Sequence, residues 1–155
     1  MSHFPAPISK PRHEGWTRVL VQDWEWTYTL RDTEYRIFVP QGVEYEPSIP
    51  TPAGGVIPAD RLEPASLPHD VIYKLQGDLA GPEYPVLSSR WQGEWHRRPT
   101  VSRRYADELF RLILQELGVA SWRVWLAYQA VRWFGQAAWD EEDEFSLPTT
   151  LFPDE

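Results

Sequence analysis

Hydrophobic and polar residues alternate with a period of two over much of residues 19–39. Aromatic, β-branched and aliphatic residues occupy every second position of Trp24–Leu30, and Tyr35–Val39 resumes the alternation after a polar stretch. This period places the apolar side chains on one face of a strand. The pattern predicts a β-hairpin or small meander. A second, shorter β segment is predicted near Val86–Trp95, with Gln92-Gly93 as its turn.

The C-terminal half instead follows helical spacing. Apolar residues recur at intervals of three and four in Arg103–Leu117, which Ser102 is placed to cap and Gly118 to end. Ser121 begins another helix, Trp122–Trp139, which is apolar around most of its circumference. Such a helix lies in the core or is covered by a partner.

A short helix is also predicted over Ser66–Gly77, with Ser66 as its cap and Pro68 in its first turn. The whole chain, 1–155, is then expected to form one domain. Its predicted parts are an extended arm (1–15), a β-hairpin (16–40), a Pro/Gly-rich loop (41–65), helices with a short β insertion (66–139) and an acidic tail (140–155). The predicted fold class is α+β, with a small N-terminal antiparallel sheet packed on a C-terminal bundle of about three helices.

The composition of the chain excludes several kinds of site and partner. The chain has no cysteine, which excludes a disulfide framework and thiolate metal ligands. It shows neither a signal peptide nor a membrane-spanning run, so cytosolic synthesis is expected. The net charge of −8 argues against a nucleic-acid partner, since Arg97-Arg98 and Arg103-Arg104 form only a local basic spot. Nine tryptophans exceed the ordinary share, and we expect most in the core and some in contacts with another protein.

The candidate chemistry lies in the segment His69-Asp70-x-x-Tyr73. On a helix, Tyr73 shares a face with both His69 and Asp70. Asp107 shares the apolar stripe of the next helix, where a carboxylate is costly unless it is paired, and His69, Tyr73 and Arg132 are its available partners. Asp107 would then either orient His69 as a general base or tie helices together through buried hydrogen bonds. Both interpretations stay open.

Four motifs in a fixed order resemble a small, functionally uncharacterised domain family common in tailed bacteriophages and prophages. They are Val39-Pro40-Gln41-Gly42 with Pro47-Ser48-Ile49-Pro50, Leu67–Tyr73, Ser102–Phe110, and Leu117-Gly118-Val119 with Tyr128–Gly135. The resemblance implies a phage setting and a polar set of His69, Asp70, Tyr73, Asp107 and Arg132. We assign Ser102 and Arg132 to a structural polar network. One departure is that Glu44 and Glu46 stand where the family usually has an aspartate.

The His-Asp-x-x-Tyr helix followed by an aspartate is also similar to secreted phospholipase A2, in which a His-Asp dyad activates water and a second aspartate binds calcium. This resemblance implies His69 as the base, Asp107 as its orienter and Asp70 as a calcium ligand. We take His69, Asp107 and Tyr73 as the candidate catalytic residues. The chain lacks the disulfides and the glycine-rich calcium loop, so the similarity concerns the site only. The four histidines show no zinc spacing, and phosphate-loop and nucleophile-elbow motifs are absent.

We therefore expect a bacteriophage structural or assembly protein of the tail, neck or capsid, without a cofactor. Its partners would be other phage structural proteins or further copies of the chain, and it would pass from the host cytoplasm into the virion. The alternative is a phage hydrolase that acts on a lipid or another ester during entry or lysis and uses calcium. A host-modulating binding protein is a third interpretation, which the acidic tail permits.

Overall fold

The computed structural model describes residues 4–11, 17–47, 55–81 and 85–140, which form two antiparallel sheets and three helices. The first sheet has the strand order β1-β2-β5, and the second has the order β3-β4-β6-β7. The strands are β1 (Ser9–Pro11), β2 (Arg18–Leu20), β3 (Trp24–Leu30), β4 (Thr33–Val39), β5 (Glu44–Tyr45), β6 (Val86–Trp91) and β7 (Glu94–Arg98). The helices are α1 (Ala59–Lys74), α2 (Arg103–Glu116) and α3 (Ser121–Asp140). The expected α+β class is confirmed.

Both predicted hairpins are present. Along β3, the buried side chains of Trp24, Trp26 and Tyr28 alternate with exposed neighbours, as the period of two requires. Two residues with positive φ close each hairpin, Arg31-Asp32 between β3 and β4 and Gln92-Gly93 between β6 and β7. Such pairs match the twist of antiparallel strands.

Helix α2 joins the layers of the fold. The Ser102 hydroxyl caps it by accepting a hydrogen bond from the Tyr105 backbone N–H at 3.0 Å. On the sheet side, the Tyr105 hydroxyl is hydrogen-bonded to that of Tyr28. Helices α1 and α3 both pack against α2, which therefore brings side chains from three helices together.

The predicted start of the first helix is wrong. Helix α1 begins at Ala59 and contains Pro64 and Pro68, whereas the sequence placed a loop up to residue 65. Ser66 is no cap, because its hydroxyl lies inside the helix and donates to the Leu62 carbonyl at 2.7 Å. The prolines remove two helical donors, and burial of the helix against its neighbours outweighs that cost.

The predicted arm and loop also contain strands. Residues 9–11 pair with β2, and Phe4 is buried against Trp24 and Trp26, so this segment packs on the domain. In the predicted loop, β5 pairs with the other side of β2. The Ser48-Ile49-Pro50 motif and the acidic tail beyond Asp140 lie outside the described residues.

Helix α3 has an inner and an outer face. The inner face is buried, while the outer face exposes five large apolar side chains. These are Trp122, Trp125, Leu126, Trp133 and Phe134. Within the described ranges, no helix is both long enough and apolar enough to span a bilayer.

Candidate functional site

Helices α1 and α2 bring three of the predicted site residues together. His69 and Tyr73 lie one turn apart on α1, and both contact the carboxylate of Asp107 on α2. The His69 Nε2 atom is 2.9 Å from Asp107 Oδ1, and the Tyr73 hydroxyl donates to the same oxygen at 2.5 Å. The Asp107 side chain is completely buried, as its place in the apolar stripe predicts.

The second carboxylate oxygen connects Asp107 to helix α3. Arg132 Nη1 donates to Asp107 Oδ2 at 2.7 Å, and Arg103 Nη1 approaches the same oxygen at 3.5 Å. Arg103 also donates to the backbone carbonyls of Val131 and Arg132 at 3.0 and 3.2 Å. We call His69, Tyr73, Arg103, Asp107 and Arg132 the Asp107 cluster.

Arg103 is the member of this cluster that the sequence analysis missed. It lies four residues before Asp107, and on a helix this spacing places the two side chains next to each other. That spacing was visible in the sequence. The bonds from Arg103 to the α3 carbonyls were not, because they depend on how the two helices pack.

The electrostatics favour an ionised Asp107. Burial would raise the pKa of its carboxyl group, but hydrogen bonds from His69, Tyr73 and Arg132 and the charge of His69 hold that pKa below its ordinary value. The pKa of Tyr73 is raised, first by burial and then by the neighbouring carboxylate. The phenol therefore stays protonated and serves as a donor.

His69 lies at the rim of the cluster. Its side chain is 11% exposed, and its ring packs between those of Tyr73 and Phe110, with centroid distances of 4.2 and 4.9 Å. An ionised Asp107 accepts a hydrogen bond, so Nε2 of a neutral His69 carries the proton and Nδ1 keeps its lone pair. Nδ1 has no hydrogen-bond partner among the described residues. A fixed imidazole with an open acceptor has the geometry of a general base.

The structure gives a physical reason for Gly135, the glycine that ends the last sequence motif. A Cβ atom at this position would lie 2.7 Å from the Tyr73 hydroxyl and 3.2 Å from Arg103 Nη1. Only a residue without a side chain lets α3 approach the Asp107 cluster so closely. One turn further on, Trp139 covers the Tyr73 ring edge-on at 5.2 Å.

Asp70 does not join the cluster. Its Oδ2 atom accepts a hydrogen bond from the Glu46 backbone N–H at 3.0 Å and lies 3.2 Å from the Lys74 ammonium group. Burial raises the pKa of its carboxyl group, and Lys74 opposes that rise. Across the described parts of the chain, His, Asp and Glu side chains nowhere gather in threes around a possible metal position. These residues do not fit the calcium site that the phospholipase resemblance implies.

Ser102 also lies outside the Asp107 cluster. Its hydroxyl accepts from the Tyr105 backbone N–H and makes the helix cap, and among the described residues no member of the Asp107 cluster is its hydrogen-bond partner. A serine at the first position before a helix has the backbone N–H groups of the first turn within reach, and these take up its oxygen.

Comparison with known families identifies the domain. The sequence model of a family described as proteins of unknown function matches residues 20–131, which are most of the chain. The chain belongs to the DUF1353 family. The match runs from the end of β2 into α3, so the DUF1353 region includes His69, Tyr73 and Asp107, while Arg132 and Gly135 follow directly after it. No curated protein and no solved structure matches the chain. The expectation of an uncharacterised domain family is confirmed at this level.

Proposed function

We propose that this DUF1353 protein hydrolyses carboxylic esters, with lipids as the substrate class, and that His69 is the general base. The observation that supports the proposal is the His69–Asp107 pair. A completely buried carboxylate holds Nε2 at 2.9 Å, while the His69 side chain is 11% exposed and Nδ1 has no partner among the described residues. Tyr73 bonds to the same carboxylate oxygen, which fixes Asp107 in turn.

In the proposed reaction, Nδ1 of His69 takes a proton from a water molecule. The resulting hydroxide adds to the ester carbonyl carbon and forms a tetrahedral intermediate. The intermediate collapses by breaking the bond to the alcohol oxygen, which takes the proton back from His69. The products are an alcohol and a carboxylic acid, which releases its remaining proton to the solvent and becomes a carboxylate, and the imidazole returns to its starting state. Asp107 stabilises the transient imidazolium and does not react.

The first test compares H69N with the wild-type protein on p-nitrophenyl esters and on phospholipid vesicles. Removal of a general base lowers turnover by roughly 10²–10⁴-fold. The melting temperature should change little, because Asp107 keeps Tyr73 and both arginines. E116Q, on the exposed end of α2, is the control and should retain full activity. Full activity in H69N would contradict the role of His69 as general base. If the wild-type protein cleaves no ester and H69N melts at a far lower temperature, His69 has only a structural role.

A second arm concerns calcium. Because Asp70 is bonded to Lys74 and the Glu46 N–H, we expect hydrolysis to be equally fast with added calcium and with a chelator. If the chelator abolishes activity and calcium restores it, the proposed independence from metal is wrong. The role of His69 would then be tested separately by H69N at saturating calcium.

The outer face of α3 favours a second candidate function, a structural or assembly protein of a phage virion. Trp122, Trp125 and Trp133 are each more than half exposed, and a solvated face of an ordinary helix carries polar residues instead. Exposed tryptophans are typical anchors of protein interfaces. The partner would be another virion protein or a second copy, with the chain made in the host cytoplasm and then packaged.

Two measurements test this candidate. Mass spectrometry of purified particles, made from the genome that encodes the chain, should find it in stoichiometric amounts. Its absence from particles would remove the virion role. W125E and W133E should weaken any self-association seen by sedimentation velocity and leave ester hydrolysis unchanged, which separates this role from the enzymatic one.

A further inference from the structure

A groove of about 730 Å³ opens at one end of the four-stranded sheet, and none of its lining residues belongs to the Asp107 cluster. Strands β6 and β7 form most of its wall, and the turn between β3 and β4 completes it. We call it the β6–β7 groove. The lining residues that matter here are Asp32, Tyr35, Ser89, Trp91, His96 and Arg98.

The strand register places hydrogen-bond donors in a row along the floor. Tyr35 on β4 is opposite Ser89 on β6, and Ser89 is opposite His96 on β7. Residues directly opposite each other in a sheet point to the same face. Arg98, two residues after His96, points to that face as well.

Ser89 is the residue in this row whose hydroxyl is open to a ligand. The residue is only 7% exposed and lines the groove, yet its hydroxyl has no hydrogen-bond partner among the described residues. Among the described residues, the one fully buried side-chain polar atom without a partner is Trp26 Nε1, so the Ser89 oxygen is accessible from the groove and can bond to a ligand or a water molecule there.

The charge of the groove indicates which kind of ligand fits. Arg90, Arg97 and Arg98 line it together with one acid, Asp32, in a protein whose net charge is −8. Arg90 is paired with Glu34, and Arg97 donates to the backbone carbonyls of Leu79 and Gly81. Arg98 makes no ion pair with a described carboxylate. A guanidinium group beside hydroxyl donors suits a tetrahedral oxyanion.

We propose that the β6–β7 groove binds a phosphoryl group, a phosphate monoester or diester. Arg98 supplies the charge, Ser89 and Tyr35 donate to the phosphoryl oxygens, and His96 contributes a further donor. Trp91, which is 65% exposed at the rim, offers a flat surface to the apolar part of the ligand. The site is independent of the ester hydrolysis proposed above, since it shares no residue with the Asp107 cluster.

The test measures binding by calorimetry with three probes: inorganic phosphate, adenosine monophosphate, and phosphatidylcholine vesicles with and without phosphatidylglycerol. At least one probe should bind, and added salt should weaken the binding. We expect R98A to weaken it by tenfold or more and S89A by about threefold, as expected for the loss of a charged and a neutral donor. R104A is the matched control, because Arg104 is exposed on α2 outside the groove and should change affinity less than twofold.

The outcomes separate the sources of the phosphoryl group. Binding to phosphate or the nucleotide, lost in R98A, supports a free phosphate ligand. Binding to phosphatidylglycerol vesicles alone, also lost in R98A, supports a lipid headgroup. No binding to any probe, or equal losses in R98A and R104A, would overturn the proposal. Circular dichroism spectra establish that each variant is folded, and S89A gives a second reading should R98A not fold.

Discussion

The polar groups of the Asp107 cluster are hydrogen-bonded to one another, whereas several of those in the β6–β7 groove have no partner among the described residues. In the cluster, each Asp107 oxygen accepts from two donors, His69 and Tyr73 on one side and Arg132 and Arg103 on the other. In the groove, Ser89 is also a mostly buried residue, but its hydroxyl is accessible and has no acceptor among the described residues. The first arrangement holds three helices together and leaves one imidazole nitrogen open. The second leaves several donors open to a ligand.

The strongest test of this contrast removes the centre of the cluster. D107A leaves two arginines, a phenol and an imidazole without their shared acceptor, and breaking a buried ion pair costs about 3–5 kcal/mol. We expect a loss of that size in the free energy of unfolding, measured in urea.

E116A on the same helix provides the control. Glu116 is exposed near the end of α2, so its removal should change the unfolding free energy by less than about 0.5 kcal/mol. If D107A costs no more than E116A, the cluster does not hold the helices together, and the contrast with the groove fails.

Gly135 tests how closely α3 approaches the cluster. Alanine favours a helix by about 1 kcal/mol over glycine, but the added Cβ would lie 2.7 Å from the Tyr73 hydroxyl. Overpacking of this kind costs about 1–3 kcal/mol, so G135A should be destabilising on balance. In a Y73F background the nearest obstacle is absent, and G135A should become neutral or stabilising.

Wild type, G135A, Y73F and the double variant form a double-mutant cycle. Their thermal and urea unfolding give the coupling energy between Gly135 and Tyr73. Equal effects of G135A with and without the Tyr73 hydroxyl would show that α3 has room to move away. The contact with the cluster would then not explain the glycine.

The pH dependence of stability gives a smaller, graded effect. The pKa of Asp107 is lower in the folded chain than the value of about 3.9 in an unfolded one, so unfolding binds a proton in acid. The stability that the carboxylate contributes is present above about pH 4 and is lost as the pH falls through the folded pKa. The advantage of wild type over D107N should therefore shrink between pH 5 and pH 2. A constant difference across that range would contradict an ionised, hydrogen-bonded Asp107.

The sequence predicted the helical side of the cluster better than its surroundings. Asp107 stood out because a carboxylate in an apolar stripe needs partners. Helical spacing placed His69 and Tyr73 on one face of the preceding helix, which made them candidates for that role. The start of α1 was missed because prolines usually mark loops, and the packing that tolerates Pro64 and Pro68 is tertiary. The contact of Gly135 with Tyr73 depends on the distance between two helices, which periodicity does not contain.

The groove was hidden for a related reason. Arg97-Arg98 looked like a minor basic spot because a count along the chain cannot show which donors share a sheet face. Only the register of β4, β6 and β7 aligns Tyr35, Ser89 and His96.

The sharpest comparison of the two regions removes one hydroxyl from each, and it includes the smallest expected effect, that of S89A. Y73F takes away a donor to a buried carboxylate and should cost about 1.5–3 kcal/mol. S89A takes away a hydroxyl without a described partner and should change the unfolding free energy by less than about 0.5 kcal/mol. Urea titrations of both variants in phosphate-free buffer measure the pair. If S89A costs as much as Y73F, the Ser89 hydroxyl is already satisfied within the protein, and it is not held in place for a phosphoryl oxygen.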